Sequence, residues 1–127
     1  MKQFLLIFIA GGCGSLMRYT VAGWAQHWSS SSFPTGTMVV NIVGCAAIGF
    51  LTPLLTGPVL IREEYRLAVL VGLLGGFTTF STYGWETISL ANDGQRWLAL
   101  ANVLGNNVFG LSAAWAASRL ATAVYGA

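Results

Sequence analysis

The stretch Gly75 to Gly84, GGFTTFSTYG, carries the side chains of this sequence that are best suited to contact an ion. Its ten residues include three Thr, one Ser and three aromatic rings. Phe77, Phe80 and Tyr83 recur every three residues, which places them along one stripe of a helix. The edge of an aromatic ring carries positive partial charge, so rings presented edge-on can weakly solvate an anion that has lost its water. The same stripe is also typical of rings that pack in a core or face lipid.

The backbone of this stretch predicts an interrupted membrane helix. Gly75 and Gly76 relax the backbone, and the β-branched Thr78 and Thr79 disfavour helix. A break leaves free carbonyl groups before it and free N–H groups after it, and in a membrane such groups must face protein or water. The carbonyls suit a small cation and the N–H end suits an anion. Packing is the alternative, because Gly72 and Gly76 form a GxxxG pair that needs no ion.

Asn side chains form a second polar pattern inside the apolar segments. Asn41 has Thr37 and Cys45 on its own helical face, and Asn102 and Asn106 share a face of a later segment. Amide N–H groups are neutral donors that can replace the water of an anion without trapping it. Hydrogen bonds between helices explain each Asn equally well. Several Asn on separate segments, beside a break rich in hydroxyl groups, favour a polar pathway.

Arg18 and Glu86 are the charged residues that lie well inside the apolar segments. Each costs about 2.5 to 3.5 kcal/mol if it is placed centrally in a membrane, so each needs a partner or water. Arg18 suits a vestibule that attracts anions, or else a structural ion pair. Glu86 suits a pair with Arg18, or else the mouth of an aqueous path, and the sequence does not choose between these.

The composition is that of an integral membrane protein. The 127 residues are 55% hydrophobic and 8% charged, and their mean hydropathy is +0.68, whereas soluble domains are about 25% charged. A hydrocarbon core of about 30 Å takes roughly 20 apolar residues as a helix, so this length allows about four crossings. We predict an all-α integral membrane protein, a single domain over residues 1–127 with spans at approximately 4–25, 36–55, 67–90 and 97–124.

The charges between and beside the predicted spans indicate an orientation. The second loop holds Arg62, Glu63, Glu64 and Arg66, as expected of a solvated turn. This loop and Lys2 place basic residues on the side of the two termini, which favours an N-in, C-in orientation by a small margin. A cleavable signal is the alternative interpretation of the N-terminus, but three further spans follow it.

Several other classes of function are excluded by what the sequence lacks. The six basic residues are scattered, which disfavours nucleic acid as a partner. Cys13 and Cys45 fall in apolar segments, where we expect them to pack between helices rather than to form a disulfide or bind a metal. His27 stands alone in a Ser-rich stretch predicted to be a loop. Metalloenzyme chemistry is therefore not expected, and no residue is predicted to be catalytic.

The segments GGFTTFSTYGWE, GTMVVNIVG and GGCGSLMRY together resemble the Fluc (CrcB) family of bacterial fluoride channels. The resemblance covers essentially the whole chain, including its length and its four spans. It implies a fluoride-selective channel of the bacterial inner membrane, which exports cytoplasmic fluoride and relieves its toxicity. It also implies a dual-topology homodimer, in which two antiparallel copies enclose two narrow pores. A structural sodium ion is expected at the centre of that dimer, held by backbone carbonyls at the helix break.

Site residues follow from the resemblance position by position. It implies that Gly75 and Thr78 supply the sodium carbonyls and that Glu86 occupies a commonly acidic position. The residues that it assigns to the fluoride pathway are Asn41, Phe80, Ser81, Thr82, Tyr83 and Asn106, with Arg18 in the vestibule.

Two departures from the family pattern affect these assignments. Tyr83 stands where the family usually has Phe, so a phenol hydroxyl replaces or supplements a ring edge. The polar track of the last span, often Ser or Thr in the family, here offers Asn102, Asn106 and Asn107. Two rival functions are a small four-helix multidrug transporter and a non-transporting membrane scaffold subunit. The first depends on an acid in the first span, where this chain has Arg18.

Overall fold

The computed structural model describes residues 1–29 and 31–126, and within these ranges the chain is all-helical, with no strand. This confirms the predicted helical class. The helices, in chain order, are α1 (Lys2–Ser29), α2 (Thr35–Thr56), α3 (residues 63–77), α4 (Phe80–Asn92) and α5 (residues 96–125). α3 contains a π-helical segment, Ala68–Leu73, and α5 contains another, Gly105–Phe109. α3 and α4 form one rod with a break between them, so the described chain folds as four rods.

Three of these rods are long and apolar enough to cross a membrane. They are Lys2–Ser29, Thr35–Thr56 and Glu63–Asn92, with mean hydropathies of 1.5, 2.1 and 1.4. The multi-pass membrane character expected from composition is therefore supported by the helices themselves. The fourth rod, α5, is not among the three, and its crossing of the membrane stays a prediction.

α1 is longer at its C-terminal end than the sequence suggested. The predicted span ended near residue 25, and His27 was expected in a loop. In the structure the helix continues to Ser29, so that His27 lies in its last turn and the loop prediction for this residue was wrong. Trp24 and Trp28 lie four residues apart on this extension with their ring centroids at 5.3 Å. Such a pair supports a helix, because side chains at this spacing stack on one face.

Glycines allow the rods to approach each other closely. A Cβ built on Gly14 of α1 would lie 2.1 Å from the Leu73 carbonyl oxygen, and one on Gly76 would lie 2.4 Å from that of Gly11. Gly72 also faces α1, so the GxxxG pair serves packing, as the alternative interpretation held. Gly75, in contrast, has no atom within 4 Å of its Cβ position and faces open space.

The two Cys differ in environment. Cys45 of α2 is half-buried, and its Sγ lies 3.3 Å from the Cβ position of Gly110 on α5. Cys13 is exposed on α1. Both are free thiols. The packing role predicted for the pair is therefore present at Cys45, whereas Cys13 is exposed in the protomer and its packing stays a prediction.

We expect Gly49→Ala to separate α2 from α5. The new methyl group would lie 2.3 Å from the Ala114 carbonyl oxygen, and a backbone atom in a packed helix cannot rotate away. Overpacking of this kind costs about 1 to 3 kcal/mol. The measurement is the unfolding midpoint of detergent-purified protein. Gly23→Ala is the matched control, because its Cβ position has no atom within 4 Å, and an equal loss in both variants would contradict the packing argument.

Candidate functional site

The third rod is interrupted at Thr78 and Thr79, as the sequence predicted. Their φ/ψ values are −91°/162° and −151°/117°, which are extended conformations that β-branched residues adopt readily. The first half-helix ends with the Thr78 N–H donating to the Leu74 carbonyl at 3.0 Å. The second half begins with Thr79 as its N-cap, whose Oγ1 accepts from the Thr82 N–H at 3.2 Å. This cap satisfies one of the N–H groups that a helix start leaves unpaired.

Asn41 of α2 pairs with the backbone of the break. The Thr79 N–H donates to Asn41 Oδ1 at 2.9 Å, and Asn41 Nδ2 donates to the Thr79 carbonyl at 3.1 Å. A side-chain amide thus replaces the helical partners that Thr79 has lost. Because unpaired backbone groups cost several kcal/mol in a membrane, this pairing is what allows the break to persist there. The sequence predicted Thr79 as a residue that disfavours helix, and its role as the partner of Asn41 was missed.

A directed chain of hydrogen bonds continues from Asn41. Asn41 Nδ2 donates to Asn106 Oδ1 at 3.0 Å, and Asn106 Nδ2 donates to Asn102 Oδ1 at 2.9 Å. Asn102 Nδ2 then donates to Thr87 Oγ1 at 2.9 Å, and the Thr87 hydroxyl donates to the Tyr83 carbonyl at 2.8 Å. The Thr79 N–H at one end can only donate and the Tyr83 carbonyl at the other can only accept. The donor-to-acceptor direction of every hydrogen bond in the series is therefore set, and the series connects α2, α5 and α4.

These hydrogen bonds show whether the Asn side chains bond other helices or keep donors free for an ion. An amide nitrogen carries two hydrogens. Those of Asn41 reach Thr79 and Asn106, and those of Asn106 reach the carbonyl and the side chain of Asn102 at 3.1 and 2.9 Å. The hydrogen bonds between helices are thus present, and Asn102 and Asn106 share a face as predicted. In this conformation neither Asn41 nor Asn106 has an amide hydrogen left for an ion.

The three aromatic rings of the stretch separate into two groups. Phe77 is buried in the core before the break. Phe80 and Tyr83 lie beyond it with their ring centroids 5.4 Å apart and their planes at 60°. Phe80 is 82% exposed and Tyr83 only 9%. The expected stripe of three rings is therefore wrong for Phe77, because the extended residues at the break interrupt the helical period.

A cavity of about 300 Å³ lies beside the break. Six of the residues that the family resemblance assigned to the site line it: Asn41, Gly75, Thr78, Phe80, Tyr83 and Asn106. Thr79 and Asn107 line it too, and neither was predicted as a site residue. The hydroxyl residues Ser81 and Thr82 are exposed on the first turn of α4 and do not line this cavity. The signal for Asn107 was its position one residue after Asn106, on a segment already rich in amides.

Arg18 reaches the break from α1. Its Nη1 donates to the Thr78 carbonyl at 3.4 Å, so the prediction of a free carbonyl before the break is wrong for Thr78. Backbone oxygens are suitable ligands for a hard cation, and the open face of Gly75 leaves room beside one. Gly75 and Thr78 therefore fit a small cation in ligand type, with the Arg18 guanidinium as a competing positive charge at the second of them. Within the described ranges no three His, Cys, Asp or Glu side chains are grouped as metal ligands.

Glu86 lies away from the break and from Arg18. One carboxylate oxygen accepts from the Thr37 hydroxyl at 2.7 Å, and Oε2 is buried without a hydrogen-bond partner in the described parts of the chain. Glu86 also lines a separate cavity of about 320 Å³, with Asp93 and Gln95. Of the two alternatives, the ion pair with Arg18 is absent, and a polar cavity beside the carboxylate is present.

Comparison with known proteins identifies the family. The sequence model of the CrcB-like protein, Camphor Resistance (CrcB) family matches residues 5–118. The fluoride-specific ion channel FluC of Solibacter usitatus is 45% identical over 119 residues, which cover 94% of this chain and 98% of that protein. The FluC protein of Nitratidesulfovibrio vulgaris is 40% identical over 91% of this chain and 93% of its own length. That of Desulforapulum autotrophicum is 43% identical over 87% of this chain and 89% of its own length. By the extent of these matches, the chain belongs to the CrcB-like protein family.

Proposed function

We propose that this protein is a fluoride-selective ion channel, not an enzyme, which lets cytoplasmic fluoride leave a bacterial cell and so relieves its toxicity. The names of its relatives support this activity. The single observation that carries it within the chain is the cavity at the helix break, which combines aromatic rings with neutral amide and hydroxyl groups. Such a lining suits a small anion that must be dehydrated and then released.

The contacts of the break divide the proposed pathway residues into two roles. Phe80 and Tyr83 present rings at the cavity, and the exposed hydroxyl groups of Ser81 and Thr82 stand on the same turn of α4. These groups would replace the water of a passing fluoride. Asn41 and Asn106 line the same path, and their amides hold its wall in place through the bonds described above. Arg18, at 3.4 Å from the Thr78 carbonyl, brings positive charge to the neighbourhood of the break, as a vestibule residue would.

The working unit that we propose is an antiparallel homodimer in the inner membrane. Phe80 is 82% exposed in the protomer although it stands in the proposed pathway, and Gly75 faces open space. A second copy would cover both. Two inverted copies would also bring their Gly75 and Thr78 carbonyls together, and oxygens from both copies would then surround a structural sodium ion. The charge of that ion would weaken the contact between Arg18 and Thr78.

Flux from proteoliposomes tests the proposal. Purified protein is reconstituted into vesicles loaded with potassium fluoride, a potassium ionophore is added so that K⁺ leaves with the anion, and the release of fluoride is followed with a fluoride electrode. We expect rapid fluoride release, no comparable release of chloride from matched vesicles, and no release from vesicles without protein. Correctly folded protein that releases no fluoride would refute the channel, and equal chloride release would refute its selectivity.

Replacing sodium tests the second part of the proposal. We expect reduced flux and a larger dimer dissociation constant when N-methyl-glucamine replaces sodium on both sides of the membrane. Thiol cross-linking through the exposed Cys13 reports which faces of two copies meet, with Cys13→Ser as the matched control. Unchanged flux and unchanged dimerisation without sodium would remove the ion from the proposal and leave the channel in place.

A further inference from the structure

The side chain of Asn107 on α5 contacts the hydroxyl group that sets this chain apart from the usual family pattern. Asn107 Nδ2 lies 3.2 Å from the Tyr83 hydroxyl oxygen and 2.8 Å from the Val103 carbonyl oxygen. We propose that Asn107 is a positioning residue that turns the phenol hydrogen of Tyr83 toward the cavity, where it donates to the permeating anion. This inference rests on the proposed channel function and deepens it.

The orientation of the Asn107 amide follows from its neighbour on the same helix. The Val103 carbonyl can only accept a hydrogen bond, so the amide atom at 2.8 Å from it must be the nitrogen. Exchanging the nitrogen and oxygen of this amide would place two oxygens at that distance. The second hydrogen of the same nitrogen is then directed at Tyr83. Asn107 is therefore the donor in this pair and the phenol oxygen is the acceptor.

This direction leaves the hydrogen of the phenol group available. A phenol group has one hydrogen to donate and lone pairs to accept with. A lone pair of Tyr83 takes the Asn107 N–H, and no acceptor for the phenol hydrogen lies within hydrogen-bond distance among residues 1–29 and 31–126. Both side chains line the cavity of about 300 Å³. A guest anion in that cavity is the partner that completes the hydrogen bonding of Tyr83.

The chemistry of this group favours fluoride over larger halides. A hydrogen bond to an ion is about twice as strong as one between neutral groups. Fluoride concentrates its charge in a smaller radius than chloride, so it loses more on dehydration and recovers more of that loss from an O–H donor than from a ring edge, which offers only weak partial charge. The phenol group therefore acts as a specificity-determining contact. An O–H donor carries no formal charge, so the ion is not held by a fixed opposite charge.

Asn107 also has a structural bond that does not involve Tyr83. Its donation to Val103 lies within α5 and is independent of the residue at position 83. Removing the Asn107 side chain therefore has an effect on fluoride binding, which depends on the Tyr83 hydroxyl, and an effect on stability, which does not. The effect on fluoride binding is isolated when the same substitution is made with Tyr and with Phe at position 83.

Four proteins test the inference: the wild type, Tyr83→Phe, Asn107→Leu and the double variant. Each is reconstituted, and the half-saturating fluoride concentration and the fluoride-to-chloride flux ratio are measured. Losing a hydrogen bond to an ion should raise the half-saturating concentration about ten-fold in Tyr83→Phe. We expect Asn107→Leu to raise it about three-fold when Tyr83 is present and not at all when Phe replaces it. The flux ratio should fall in the same pattern.

Other outcomes overturn the inference. If Asn107→Leu changed the half-saturating fluoride concentration equally with Tyr and with Phe at position 83, Asn107 would be merely structural. If Tyr83→Phe left that concentration and the flux ratio unchanged, the phenol group would not contact the anion. Tyr65→Phe, on an exposed tyrosine outside the cavity, is the matched control for loss of a hydroxyl. Asn107→Ser replaces Asn107→Leu if the latter does not fold. A wild type that passes no fluoride would refute the proposed function itself. A wild type that conducts fluoride, with additive effects of the two substitutions, would refute this inference alone.

Discussion

Replacement of Asn41 by Ala is expected to abolish fluoride flux and to destabilise the fold. The substitution leaves the Thr79 N–H, the Thr79 carbonyl and the Asn106 side-chain oxygen without their partner. Each buried polar group left unpaired costs about 1 to 3 kcal/mol, so the expected loss is at least about 3 kcal/mol. Flux from proteoliposomes and the unfolding midpoint in detergent are measured on the same preparation.

The two readouts for Asn41 distinguish a scaffold from an ion ligand. If Asn41 only contacted the ion, Asn41→Ala would lose flux and keep its stability. Asn41→Asp sharpens the comparison, because a carboxylate still accepts from the Thr79 N–H but has no hydrogens for Thr79 or Asn106. We expect it to be destabilised as well. Asn92→Ala, at the exposed end of α4, is the matched control and should leave both readouts unchanged.

Replacement of Gly44 by Ala is expected to displace the break and to lower flux more than ten-fold. A Cβ on Gly44 would lie 2.1 Å from Thr78 Cγ2 and 3.5 Å from Phe77 Cδ1. The Thr78 side chain cannot rotate away at no cost, since its Oγ1 is bonded to the Leu74 carbonyl at 3.1 Å. Overpacking costs about 1 to 3 kcal/mol, and here the strain falls on the residue that begins the break.

A second substitution shows whether this single contact is responsible. Thr78→Ser removes the Cγ2 methyl group and keeps the hydroxyl that bonds Leu74. We therefore expect the double variant of Gly44→Ala and Thr78→Ser to recover most of the flux lost by Gly44→Ala alone. Thr78→Ser by itself is the reference for the double variant, and Gly23→Ala is the control for a helical methyl group in open space. A double variant that is no better than Gly44→Ala would show that the clash lies elsewhere.

Much of the fold was predictable because the chain leaves few alternatives. A composition with 8% charged residues requires helices that satisfy their own backbone in lipid, and the positions of the turns follow from the charged and proline-containing stretches. The break at Thr78 and Thr79 was equally predictable, since two β-branched residues after two glycines disfavour helix. The end of α1 was not predictable, because a helix that extends beyond the hydrocarbon core can continue through polar residues and so leaves no break in the apolar pattern.

The sequence predicted which residues form the site better than it predicted which hydrogen bonds they make. Asn41, Phe80, Tyr83 and Asn106 do line one cavity. Their partners could not be derived, because Asn41 is separated from Thr79 by 38 residues and from Asn106 by 65, and no local pattern indicates which groups meet. Asn107 illustrates the same limit, since its neighbour Asn106 carried an identical signal.

The amino-acid sequence by itself determined the apolar rods, the interrupted third rod and the polar residue types beside it. These properties depend on local backbone preference and on the cost of unpaired groups in lipid, which act within a few residues of each position. Only the tertiary structure decided that the Asn41 amide pairs with Thr79 and that the Asn107 amide donates to Tyr83. Hydrogen bonds are directional and act over about 3 Å, so their partners are set by how distant helices pack.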